Sequence, residues 1–306
     1  MPLRLGTRGS ALAVAQATLV REALAEAGVE ADLVTITTSG DERPGASVPP
    51  GAEEDKSRFV KEIEEALLEH RIDLAVHSAK DVPSVLPERL AIVGVPARAD
   101  ARDALCGQHK TLDALPDAAS VGTASLRRRA QLLAARPSLR VRPLRGNVDT
   151  RLRRLAEGEL EAIVLAAAGL ARLGRGEGVP IPEGLMTPAP GQGCLALEAR
   201  ADDARARELA AGVTHHESLT ALLAERALVS GIGATCRTPV GAHARLEDGA
   251  LRLDSFAGIP DGSRWIRDSL TGSPDEPAAL GATAAERLLA AGATELLDAA
   301  ERWSAA

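Results

Sequence analysis

Ten arginines fall between positions 127 and 154: Arg127, Arg128, Arg129, Arg136, Arg140, Arg142, Arg145, Arg151, Arg153 and Arg154. One acid, Asp149, opposes them, although the chain as a whole is acidic at net −7. A guanidinium presents a planar fork that grips a carboxylate or phosphate through two parallel hydrogen bonds. A cationic field inside an acidic protein calls for an anionic guest or an internal acidic partner. A solvated helix face is the plainer alternative, and a bias toward Arg over Lys accounts for the ratio of the two better than for the clustering.

Other segments carry chemistry of their own. Gly122-Thr123-Ala124-Ser125-Leu126-Arg127-Arg128 is a glycine turn running into a predicted helix, where backbone N–H groups and the helix dipole favour anions. Leu144-Arg145-Gly146-Asn147-Val148-Asp149-Thr150-Arg151 repeats the arrangement, and Thr7-Arg8-Gly9-Ser10 offers a third anion hook. His77-Ser78-Ala79-Lys80-Asp81 follows a buried strand, the place where open α/β sheets bind ligands. Beside Lys80, an ionised Asp81 could hold amine or pyrrole N–H groups and stabilise a developing cation; a helix cap or surface ion pair is the alternative. Cys236 stands on a Gly-flanked loop before a proline, next to Arg237, where access and charge favour a thiolate and covalent chemistry. The widely spaced Cys106 and Cys194 read as small core residues, and three cysteines without CxxC spacing suggest neither a disulfide framework nor a zinc site. His215-His216 lacks metal-ligand spacing, so no metal is expected.

The elements that position these residues alternate. Strands are predicted at Leu3–Thr7, Asp32–Thr38, Ile72–Val76, Leu90–Val95, up to Thr123, Leu139–Val141, Ala162–Ala166 and Cys194–Glu198. Helices are predicted at 11–27 behind a Ser10 cap, Phe59–His70, Ser125–Ala135, Val148–Glu157, Ala168–Leu173, Asp203–Ala211 and Ser218–Ser230. This pattern predicts parallel α/β sheets covered on both faces, with the strand at 194–198 free to return to the first sheet. Residues 39–57 show no apolar period and read as a long loop. The Pro-rich run Met186–Gly193 reads as a crossing between domains or a plain rigid loop. After Cys236 the style changes to three short strands with Asp-Gly turns and two closing helices, a small α+β domain. There is no Tyr and only Phe59, Phe256, Trp265 and Trp303 are aromatic, which argues against base stacking and a nucleic-acid partner. No apolar run is long enough to cross a bilayer, so a soluble cytoplasmic protein without a membrane partner is the expectation.

Taken together, the blocks resemble the porphobilinogen deaminases. They are TRGS at 7–10, TTSGD at 37–41, FVKEIE at 59–64, DLAVHSAKDVP at 73–83, VGTASLRR at 121–128, LRGNVDTRL at 144–152, AAGLARLG at 167–174, PAPGQG at 188–193, THHE at 214–217 and CRTPVGAHA at 236–244. The resemblance covers essentially the whole chain. It implies three domains: residues 1–96 with 194–212, residues 97–193, and residues 213–306. The first two would be like type II periplasmic binding proteins and the third small and α+β. It implies a dipyrromethane cofactor in thioether linkage to Cys236, a monomer, and condensation of four porphobilinogens into a linear tetrapyrrole with loss of four ammonia. In that chemistry an azafulvene formed by loss of ammonia is attacked by the free α-carbon of the growing chain. Asp81 resembles the catalytic carboxylate. Lys80, Ser125, Arg127, Arg128, Arg145 and Arg151 resemble cofactor anchors; Arg8, Ser10 and Arg172 resemble substrate carboxylate ligands, with Gln192 close to the site. Thr235 stands where the family usually has Gly, and Lys56-Ser57-Arg58 replaces a glycine-containing run. A solute-binding module of the same fold, lacking the cysteine chemistry, and a nucleic-acid binder are the competing readings.

Overall fold

The computed structural model describes residues 2–37, 60–235 and 238–305. The chain divides into two compact units, residues 1–99 with 194–219 and residues 100–193 with 220–306.

The first unit begins with β1 (Leu3–Arg8), α1 (Ala11–Glu26) and β2 (Ala31–Ile36). Ser10 caps α1, its hydroxyl accepting from the Ala13 amide, and Gly28 follows the helix at φ +80°, a left-handed stop open to glycine. Then come α2 (Lys61–Leu68), β3 (Leu74–Ser78), a 3-10 turn over Ala79–Asp81 and β4 (Leu90–Gly94). The sheet is completed from far along the chain by β10 (Leu195–Arg200), giving the order β2-β1-β3-β10-β4. β1 is parallel to β2 and β3, whereas β10 is antiparallel to both β3 and β4. One face is covered by α1 and α6 (Ala204–Ala211) around Leu3, Leu5, Leu24, Leu74 and Leu197; the other buries Ile63, Leu67, Ile72 and Ala75 beneath α2.

The second unit repeats this arrangement. It comprises β5 (Asp103–Gly107), β6 (Ser120–Gly122), α3 (Leu126–Ala135), β7 (Arg140–Arg142), α4 (Val148–Ala156), β8 (Ala162–Ala166), α5 (Ala167–Arg172) and the two-residue β9 (Val179–Pro180). The order is β7-β6-β8-β5-β9, with β6 parallel to its neighbours and β5 antiparallel to β8 and β9. β8 shows why both faces stay dry: Ala162 and Val164 enter one apolar cluster, Ile163 and Leu165 the other. The C-terminal part packs α7 (His216–Gly231), α8 (Pro277–Ala290) and α9 (Ala293–Ala305) with an antiparallel sheet of β11 (Val240–Glu247), β12 (Ala250–Gly258) and β13 (Trp265–Gly272).

The expectation of parallel sheets is corrected: both sheets are mixed, because each takes its fourth strand from a crossing segment that enters from the opposite direction. The strand at 103–107 escaped the sequence reading. It opens on a charged residue, runs only five residues and, being covered on both faces, shows no alternation. β3 begins two residues later than expected because the Ile72 amide still bonds the Ala66 carbonyl and closes α2. It also runs on to Ser78, so His77 lies inside the strand. Phe59 and the 39–57 loop lie outside the described residues.

Candidate functional site

In each unit the carboxyl ends of the parallel strands gather the residues with chemical potential. In the first unit, Arg8 ends β1 and Ser10 caps the helix that follows. Neighbouring β3 ends at Ser78 and turns at once into the 3-10 segment bearing Lys80 and Asp81. All four of these side chains are half-buried. The turn is pinned: the Ala79 amide donates to Cys194 O at 3.1 Å and the Val82 amide to Ala79 O at 3.2 Å. Behind it, His77 Nε2 lies 2.9 Å from Glu198 Oε2, with both side chains buried. Neither atom achieves the alignment of a good hydrogen bond. The nearby Glu64 carboxyl is pushed up to about 7, chiefly by burial and then by the charge of Glu198, with His77 acting the other way.

In the second unit, Ser125 caps α3 and its hydroxyl accepts from the Arg128 amide at 3.4 Å. The first turn of α3 then sends Arg127 and Arg128 inward, where they are only 4% and 6% exposed. They converge on Asp103, the first residue of β5, which is wholly buried. Arg127 Nη1 lies 2.7 Å from Asp103 Oδ2 and donates to Thr187 O at 2.7 Å. Arg128 donates through Nε to Asp103 Oδ1 at 2.8 Å, lies 2.7 Å from it through Nη2, and donates through Nη1 to Val164 O. Gln192, 1% exposed, donates to the same Asp103 Oδ1 at 3.1 Å and to Ala101 O at 2.7 Å. Desolvation raises the Asp103 carboxyl, but the charges of Arg127 and Arg128 outweigh it and hold the carboxyl well below its usual range.

Asn147 caps α4, accepting from the Thr150 amide at 2.8 Å, and Arg151 on that helix donates to Gly146 O at 2.7 Å. Burial, reinforced by the charge of Arg128, pushes Arg151 down to about 10, so it remains a cation at neutral pH. Arg145 is exposed on the loop ahead of α4, and Arg172 ends α5, donating to Gly193 O at 2.7 Å. Arg127 and Arg128 thus share a single acid, and the charge of Arg151 adds to that of Arg128. A desolvated site with excess positive charge at a sheet's carboxyl edge, beside capped helix N-termini, is chemically fit for a ligand bearing several carboxylates.

The structure therefore brings Arg127, Arg128 and Gln192 onto one buried acid, with Arg151 close by. Arg145 is not part of that buried group. Sequence reasoning missed Asp103 itself. The signal available was an isolated acid opening an apolar five-residue run, Asp103-Ala104-Leu105-Cys106-Gly107, upstream of an arginine cluster. Cys236 lies outside the described residues. Among the described residues no cluster of His, Cys, Asp and Glu could hold a metal, and no helix is long and apolar enough to cross a membrane.

Fold and site together define an α/β protein of two five-stranded mixed sheets and a smaller antiparallel one, with an arginine-rich edge chemically fit for a multiply carboxylated ligand. The family model described as "Porphobilinogen deaminase, dipyromethane cofactor binding domain" matches residues 3–208, and that of "Porphobilinogen deaminase, C-terminal domain" matches residues 219–290. Curated relatives named porphobilinogen deaminase include that of Deinococcus radiodurans, 45% identical over 96% of this chain and 97% of its own. Those of Acidithiobacillus ferrooxidans and a Roseiflexus species are 47% and 48% identical, covering 97% and 96% of this chain and 97% and 98% of theirs. The chain belongs to the porphobilinogen deaminase family. Among solved structures, an ancestral cationic amino-acid solute-binding protein aligns with TM-score 0.45 and 16% identity, over 69% of this chain and 88% of its own. A likeness that loose adds nothing to the strand order and directions above.

Proposed function

We propose that this protein is a transferase that condenses four porphobilinogens head to tail into the linear tetrapyrrole hydroxymethylbilane, releasing four ammonia. It would carry a dipyrromethane cofactor on Cys236. The observation that supports this best is the buried pair Arg127 and Arg128 on the single Asp103, with the half-buried Arg151 adding its charge beside Arg128. Two linked pyrroles bear four carboxylates, which suits the excess charge and the capped starts of α3 and α4. When bound, the dipyrromethane supplies the free α-carbon from which the chain grows.

The residues divide the work by unit. On the first, Asp81 accepts N–H groups of a reacting pyrrole and stabilises the positive charge that develops there, in a half-buried turn where such stabilisation exceeds its value in water. Lys80 beside it serves a carboxylate of the bound chain. Arg8 and Ser10 take the acetate and propionate of incoming porphobilinogen, a role shared by Arg172 of the second unit. On the second unit, Ser125, Arg127, Arg128, Arg145 and Arg151 hold the carboxylates of the cofactor side, and Gln192 steadies that group through Asp103. The three-domain division stated above, a cytoplasmic location, a monomeric state and the absence of a nucleic-acid partner belong to this reading.

Intact mass of the denatured protein beside Cys236→Ser tests it. The expected result is an excess of two pyrrole units on the wild type, absent from the variant. If the wild type carries none and gains none on incubation with porphobilinogen, the reading fails.

A further inference from the structure

We infer that Asp103 is a positioning residue for this reaction: it fixes the guanidiniums of Arg127 and Arg128 and the amide of Gln192 so that Arg127 is left with donors for a pyrrole carboxylate. This rests on the function proposed above. Three observations carry it.

The first is donor accounting. Arg128 commits Nε, Nη1 and Nη2 to Asp103 Oδ1 and Val164 O. Arg127 donates through Nη1 to Thr187 O and holds that nitrogen 2.7 Å from Asp103 Oδ2, an oxygen that no aligned hydrogen bond satisfies. Its Nε and Nη2 donate to no protein acceptor among the described residues. The two arginines are therefore unequal: Arg128 meets a protein acceptor at every nitrogen, its Nε included, whereas Arg127 is braced at Nη1 alone. The second is place. Asp103 opens β5 opposite Ala166, at the carboxyl edge of β6 and β8, where open sheets bind ligands. The third is that three site candidates from separate segments, Arg127, Arg128 and Gln192, share this one carboxylate, so its loss would release all three at once. A buried ion pair is weak evidence for a stabilising role, and an apolar replacement often serves stability better. Orientation explains what stability alone does not.

The test uses the full chain as wild type, Asp103→Asn and Asp103→Glu. After brief incubation with limiting porphobilinogen, denatured protein is weighed to count the pyrroles added, and KM and kcat are measured separately. Asp103→Glu keeps the charge that offsets the arginines but moves it by one methylene. It is expected to fold, to raise KM at least about tenfold with a smaller change in kcat, and to skew the ladder of chain lengths. Asp103→Asn is expected to be isolated with less cofactor. An Asp103→Glu protein with wild-type KM and ladder would reduce Asp103 to charge neutralisation and overturn the inference.

Should neither variant fold, arginine side-chain NMR of the wild type against cofactor-free Cys236→Ser decides. Cofactor should shift the Arg127 Nε–H signal and leave that of Arg128 in place; equal shifts, or none, overturn the inference. A wild type that gains no mass from porphobilinogen sinks the proposed function itself, whereas mass gain with indifferent variants sinks only the role of Asp103.

Discussion

The two five-stranded sheets share one pattern of pairing and direction, with β5 standing where β10 stands although it comes first in its sheet and β10 last, yet the same edge is furnished differently in each. Gly6 on β1 pairs with Ala75 of β3, and Gly122 on β6 pairs with Ile163 of β8. At both glycines a Cβ would collide with the side chain two residues ahead of the third strand's first residue, Ile72 in one unit and Leu160 in the other. Serine caps the following helix in both, Ser10 and Ser125. Divergence starts where the third strand ends. In the first unit it breaks into a tight turn presenting Lys80 and Asp81; in the second it flows into α5, whose first turn is Ala167-Ala168-Gly169. The buried acids diverge too. By register, Glu198 in the first sheet occupies the place of Cys106 in the second. A common frame thus presents Lys80 and Asp81 on a tight turn in one unit and a pair of arginines on a buried acid in the other.

The comparison can be broken most sharply at Asp81. Asp81→Asn should leave the bound cofactor mass unchanged and lower turnover by about a hundredfold or more, read as product formed per enzyme. Normal turnover would mean that the first edge is not the reactive one. The paired glycines test the shared frame. Gly6→Ala and Gly122→Ala should each destabilise by about 1–3 kcal/mol in denaturant unfolding. The two costs should be similar, because each added Cβ meets the movable end of a side chain and also the stiff γ-branch of an isoleucine, Ile72 Cγ2 at 3.2 Å from Gly6 and Ile163 Cγ2 at 3.1 Å from Gly122. Tolerance at either position would undo the equivalence.

Much of the frame was readable before any coordinates. Apolar periods, with Ser caps at the first two, placed α1, α3 and α4 to within a residue or two, and the strand at 194–198 was legible as one free to return to the first sheet, which β10 does. What escaped is physical in origin. Strand direction is not written in composition, and a strand buried on both faces, such as Asp103–Gly107, has no alternation to detect. The arginines were legible as a cluster, but not which of them are committed inward. That is decided by Asp103, an acid 24 residues before Arg127 whose relevance appears only through sheet pairing.

Two smaller effects sharpen the picture. Ser10→Ala and Ser125→Ala should each cost about 1 kcal/mol of stability, the usual loss of a capping acceptor. Ser125→Ala should in addition slow cofactor assembly, measured as mass gain with time. The smallest effect concerns Glu64. Its carboxyl lies above its unfolded value, so its contribution is favourable below pH 4.5 and is lost as pH rises toward about 7. Because the group is only half-buried, the effect discounted for solvent screening is about 1 kcal/mol. Glu64→Gln should therefore raise the melting temperature at pH 8 by about 2 °C and leave it nearly unchanged near pH 4.5. A gain of equal size at both pH values would assign the effect to packing rather than charge.

The placement of β10 has a consequence for how the protein is born. The strand that fills the gap between β3 and β4 is residues 195–200, and the entire second sheet is synthesised before it. Until Arg200 clears the ribosome, β3 and β4 each present an unpaired edge, an invitation to wrong partners. At about 5–20 residues per second, the roughly 100 residues between β4 and β10 hold that gap open for about 5–20 seconds. Of the two five-stranded sheets, the first to be started is the last to be closed, and a ribosome stalled before Leu195 would leave a half-zipped sheet rather than a finished one.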